Sequence, residues 1–229
     1  MMYRILTGFI IVLGLTTTSL ANDIYVTQSG NTLDLDITQD GQNNTLGNST
    51  TASASTGNAF NMDIDQIGDS NVIKYQVNGN TYEGIISLTG NSNDVDLNCD
   101  STNGNSSCGT VSASITMVGS SNDLDIDIGQ TAAATGSEVT ITSAASDDSN
   151  VIAATVDGTS AILRITVDGD TNNWLIDIDG NGDANGHTLI HTHTGGIADV
   201  DIVQSGVNDN MINLTTSGDN ADIDISQTD

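Results

Sequence analysis

The chain has 229 residues, a formal net charge of −27 and three Lys or Arg against thirty Asp or Glu. With no basic patch to release counterions, nucleic acid is argued against as a partner, and aromatics at 3% leave few rings to line a large ligand pocket. Proline is absent, so one device that blunts exposed sheet edges goes unused.

Met1 to Ala21 reads as a secretory signal peptide. Arg4 precedes an apolar run from Ile5 to Leu15, and Ser19-Leu20-Ala21 fits a small-x-small cleavage site. The run is too short to be a stable membrane span. The mature chain is expected to begin near Asn22, outside the cell or at its surface and not inserted in a membrane, with Lys74 and Arg164 as its remaining basic residues.

From there one pattern recurs: a Gly-x-x-Asn corner, an alternating strand, a second corner, another strand. The corners are Gly41 to Asn44, Gly68 to Asn71, Gly90 to Asn93, Gly119 to Asn122, Asp147 to Asn150 and Gly169 to Asn172. Their asparagines are 27, 22, 29, 28 and 22 residues apart, which is a twenty-two-residue unit with insertions. Glycine and asparagine suit such corners because they tolerate positive φ.

Between corners the strands alternate: Ile24, Val26, Gln28; Leu35, Ile37, Gln39; Met62, Ile64, Gln66; Ile73, Tyr75, Val77; and so on to Val200, Ile202, Gln204 and the terminal Gln227. Period two puts one face inside and the other in solvent. The corner asparagines share the inward parity, so Asn71, Asn93, Asn122, Asn150 and Asn172 are expected to stack as a buried amide ladder. No ten-residue stretch after Ala21 has a helical period. The expected fold is all-β, a β-solenoid of eight or nine two-strand coils over residues 22–229, on the order of 40 Å long.

Insertions fall at corners: Gly47 to Asn58, Asn98 to Gly109, Gly129 to Ser137 and Asp179 to Gly186. The second carries Cys99 and Cys108, which in an exported protein are expected to form a disulfide at the loop base. The last strand, Ala221 to Gln227, has no polar cap after it in the sequence, and an uncapped solenoid end invites pairing with another copy.

Strands ending Gln-x-Gly, as in Gln28-Ser29-Gly30, Gln39-Asp40-Gly41 and Gln66-Ile67-Gly68, with Gly-x-x-Asn corners and a twenty-two-residue unit, resemble the curlin repeat of bacterial curli fibre subunits. Gln204 and Gln227 fit the same position. The resemblance implies an extracellular subunit of adhesive or biofilm fibres, self-assembling by strand-edge stacking, delivered through an export pore and seeded by a nucleator. The pattern departs at Val77, Leu88, Met117, Val156, Val167 and Ile178, which stand where curlins carry glutamine.

Aspartates alternate with core residues: Asp94 and Asp96, Asp123 and Asp125, Asp177 and Asp179, Asp199 and Asp201, Asp222 and Asp224. Stacked coils would align them in columns ~5 Å apart. Such columns form a solvated face that resists lateral aggregation, or take up Ca²⁺, which prefers oxygen ligands; no other cofactor is implied. His187, His191 and His193 have a spacing that can chelate Zn²⁺ or Cu²⁺. Counted from Gly195 they point inward and from Gly196 outward; partly exposed strand histidines are the plainer expectation. Acids in regular repeats do not form a catalytic cluster, so no enzyme is expected. An ice-binding face would need a regular Thr-x-Thr column, and Thr140 with Thr142 and Thr192 with Thr194 do not repeat in the sequence.

Overall fold

The computed structural model of the protein describes residues 22–47, 50, 52–99, 108–129, 136–144, 149–158, 160–179, 187–205 and 210–228. The expected signal peptide lies outside them, as do the interiors of the insertions after Cys99, Gly129 and Asp179. The chain starts with β1 (Asn22–Ile24) and β2 (Thr27–Ser29), rounds a corner into β3 (Thr32–Asp40) and returns as β4 (Asn43–Leu46). β5 (Ser53–Ile67) and β6 (Ser70–Thr89) each run through a corner. Thereafter strands alternate between two sides: β7 (Ser92–Cys99), β8 (Thr110–Val118), β9 (Ser121–Ile128), β10 (Glu138–Ala144), β11 (Ser149–Asp157) and β12 (Ile162–Asp168). They continue as β13 (Thr171–Asp179), β14 (Thr188–Thr194), β15 (Ile197–Ser205), β16 (Met211–Ser217) and β17 (Ala221–Thr228).

Every pairing among these strands is parallel, and each strand pairs with the strand one coil away on its own side. One side carries β3, the second halves of β5 and β6, then β8, β10, β12, β14 and β16. The other runs from β1 and β2 through β4, the first halves of β5 and β6, β7, β9, β11, β13 and β15 to β17. The result is a parallel β-solenoid of about seven turns, fewer than the eight or nine coils expected. At ~4.8 Å per rung it is a rod of roughly 35 Å.

Alternation drives the core. On one side Ile37, Ile64, Ile86, Ile115, Ile141 and Ile165 stack rung upon rung. On the other side Leu46, Ile73, Val95, Leu124, Ile152, Trp174 and Val200 do the same, all buried. Each such side chain contributes about 1.5–3 kcal/mol of burial, and a one-residue slip would turn the whole column to solvent. Gly84 interrupts an inward column for a steric reason: the Tyr82 phenol occupies the space its Cβ would need.

Two further expectations change. Residues 53–58 lie in β5 and not in a loop, because Ser53 and Ser55 face inward against β6 and the Ser55 hydroxyl meets the Tyr75 hydroxyl at 2.5 Å. The corner glycines Gly41, Gly68, Gly90 and Gly119 do not use positive φ. They are glycine because a Cβ on Gly68, Gly90 or Gly119 would overlap the carbonyl oxygen of the corner one coil back, while their N–H groups donate to the coil ahead. Positive φ is used elsewhere, at Gly47, Gly129 and Gly136 for example, and at Asn220.

Candidate functional site: the amide spine and the terminal coil

The corner asparagines all point inward and form a chain of hydrogen bonds along the axis. The Asn44 amide N–H donates to Asn71 Oδ1 at 3.1 Å, Asn71 to Asn93 at 2.8 Å, Asn93 to Asn122 at 2.7 Å, Asn122 to Asn150 at 2.9 Å and Asn150 to Asn172 at 2.8 Å. Asn22 extends the chain at its start, donating to Asn44 at 3.3 Å. Second amide hydrogens close the corners, from Asn71 to the Thr89 carbonyl at 3.0 Å and from Asn93 to the Val118 carbonyl at 3.2 Å. Buried amides are costly unless bonded; here each satisfies the next, with dipoles aligned in one direction.

Glutamines pair only locally. Gln66 donates to Gln39 at 2.6 Å and Gln227 to Gln204 at 3.2 Å. Gln28 sits opposite Ser55, Gln66 opposite Leu88 and Gln204 opposite Ile178, so each run stops where an apolar or short residue takes the rung.

Cys99 and Cys108 form a disulfide, with Cα atoms 5.7 Å apart and both side chains fully buried. It closes the base of the insertion where Cys99, at the end of β7, lies opposite Ile128. Replacing both by serine is expected to cost about 2–3 kcal/mol, read as a lower urea midpoint. An unchanged midpoint would mean that the neighbouring rungs alone hold the loop base.

The aspartate columns are discontinuous. Asp94 lies opposite Asp123 and Asp96 opposite Asp125, but Val151 and Ala153 occupy the next rung and Asn173 with Leu175 the one after. Asp199 and Asp201 resume the columns, followed by Asp222 and Asp224. Asp177 lies between Thr155 and Val203, and the side chain of Asp179 is outside the described set. Lys74 reaches Asp94 at 3.1 Å and Asp96 at 3.6 Å. Burial alone would lower the Lys74 pKa, but these two carboxylates outweigh it and raise it. Partial burial raises the pKa of Asp123 and Asp125, with the adjacent Asp94 and Asp96 adding to the effect. Arg164 pairs with Glu138. Among the described residues no three His, Cys, Asp or Glu side chains converge as a metal site.

The histidines are buried, not partly exposed. Pairing of β14 with β12 aligns Leu189, His191 and His193 with Leu163, Ile165 and Val167, so both later histidines face the core. The Trp174 ring lies 4.4 Å from the His191 ring and 5.0 Å from that of His193. His193 Nε2 accepts from the Asn172 amide at 2.9 Å, ending the spine where the next rung brings Ala198.

Pairing also assembles a threonine column not evident from spacing: Thr116, Thr142, Thr166, Thr192 and Thr215 occupy successive rungs of one outer face. It is one residue wide, with Arg164 and Asp168 beside Thr166, so paired Thr-x-Thr columns do not form.

At the terminal coil the inward row loses its cover. Ile202 is 1% exposed, whereas Ile225, one rung on in the same column, is 49% exposed. Ile212 and Leu214 of β16 and Ile223 of β17 are half-buried, and the outer edges of both strands have no partner strand among the described residues. Compared with family models, curated proteins and solved structures, the chain matches none.

Proposed function

We propose that the protein is a secreted, non-catalytic structural subunit of curlin type that stacks end to end into adhesive, amyloid-like extracellular fibres. The observation that carries this is the coil of β16 and β17: an apolar inward row, including Ile223 and Ile225, that no other strand covers among the described residues. Backbone bonds from an added copy would supply affinity, and apolar and amide columns continued in register would supply specificity. An export pore and a nucleator are the partners such assembly calls on. Ile225→Lys would place a charge in the stacking interface while changing a side chain already half in solvent. It is expected to abolish seeded elongation, followed by dye binding and electron microscopy, and to leave the circular dichroism spectrum unchanged. Wild-type protein that stays as short rods, seeded or not, overturns the reading.

A second reading, a monomeric solenoid whose acidic face gathers divalent cations or a partner, is favoured by the block of Asp199, Asp201, Asp222 and Asp224 on the last two rungs. Lys74 and Arg164 both pair with other acids. Calcium that raises the melting temperature of short rods without lengthening them would favour it.

A further inference from the structure

The column running Ile37, Ile64, Ile86, Ile115, Ile141, Ile165 meets a histidine at its next rung, His191, before Leu214. That imidazole is fully buried, and neither ring nitrogen has a hydrogen-bond partner among the described residues. An aliphatic residue would fill this place at no polar cost. The histidine instead packs edge-on against Trp174, beside His193, which holds the last amide of the spine. A third ring, His187 just before that strand, accepts through Nδ1 from the Ala161 backbone N–H at 3.1 Å.

We propose that His191, His193 and Trp174 form an acid-sensitive latch that holds the coils from β13 onward closed while the histidines are neutral and releases them on protonation. A proton on His191 would put a charge among Ile165, Leu214 and the Trp174 ring with no acceptor. A proton on His193 Nε2 would replace the lone pair that receives the Asn172 amide hydrogen, so two donors would face each other. Around His191 no charge of opposite sign among the described residues offsets this. Arg164 on β12, Asp177 on β13 and Asp199 and Asp201 on β15 alternate to the outside; β16 brings Leu214 and Thr216. The carboxylate that acts on the cluster is Asp168, at the end of β12, and it acts on His193.

The direction of titration agrees with the packing. Burial, then the neighbouring His193, lowers the His191 pKa to about 4. Burial also lowers His193, against the opposing pull of the Gly169 backbone and Asp168. For a base whose folded pKa lies below its unfolded value of 6.5, stability is fully present above 6.5 and is lost as pH falls from there toward 4. Acid therefore loosens the C-terminal coils first, independently of whether copies assemble.

Trp174 is the chain's single tryptophan, so its fluorescence reads the latch directly. The protein is titrated from pH 7.5 to 3.5 with parallel hydrogen exchange. Between pH 7 and 4.5 the opening of residues 171–228 should rise roughly a hundredfold, while residues 70–99 keep their protection, and Trp174 emission should shift over the same range. His191→Leu should remove most of both changes. Equal titrations of wild type and His191→Leu, or loss of protection beginning in residues 70–99, overturn the proposal. Should His191→Leu fail to fold, imidazole NMR of the unmodified protein decides: a His191 pKa at or above 6.5 overturns it, and a clearly lower one supports it.

Discussion

Asn122→Asp is expected to destabilise the solenoid by about 4 kcal/mol at neutral pH, although it changes one NH₂ to an oxygen. Asn122 is buried in the middle of the spine, accepts from Asn93 and donates to both Asn150 and the Ser143 hydroxyl. A carboxylate keeps the acceptance but can make neither donation, and it leaves a charge in the core with no cation near it. Asn122→Ala loses both donations and the acceptance from Asn93 as well, but buries no charge, and should cost about 2 kcal/mol. The two variants are also expected to separate by pH. A carboxyl buried here has a folded pKa above its unfolded one, so the penalty is full above the folded value and shrinks as pH falls through it. Urea melts of wild type and both variants at pH 7 and pH 5 measure this. A cost below about 1 kcal/mol for the aspartate would mean that the spine relaxes around a gap and is not a tightly coupled network.

Gly119→Ala should cost about 3 kcal/mol, whereas Gly136→Ala should cost about 1 kcal/mol, and for a different reason. At Gly119 an added methyl would collide with the Gly90 carbonyl and press on the Asn93 amide, so two stacked corners would have to part. At Gly136 nothing among the described residues lies in the way, and the strain comes from its φ of +70°. Thermal melts of the two variants side by side distinguish close approach from backbone conformation. Equal costs would mean that the corners have room to separate, and the steric account of the repeat would be wrong.

Much of the fold is legible in the chain because its cause is local. Alternation decides which face of each strand is buried, and a Gly-x-x-Asn corner keeps the same parity in every coil, so the strands and the inward asparagines follow from residues close in sequence. The aspartate block at Asp199, Asp201, Asp222 and Asp224 also follows from one uninterrupted unit. What depends on stacking across insertions of unequal length does not follow. Val151 and Ala153 break the aspartate columns, and five threonines from five coils line up, only because β11 pairs with β9 and β10 with β8 in one register.

His191 shows the limit most clearly. Counting from Gly195 or from Gly196 turned its ring inward or outward, and both choices were locally sound. The inward one prevails because β14 pairs with β12 so that Leu189 continues the Leu163 column, which carries His191 into the isoleucine column and against Trp174. The alternating strands, the corners and the amide spine follow from the local pattern of residues. Which outer residues become neighbours and which polar rings are enclosed is set by stacking, because hydrogen-bonded register between coils, and not distance along the chain, sets who stacks on whom.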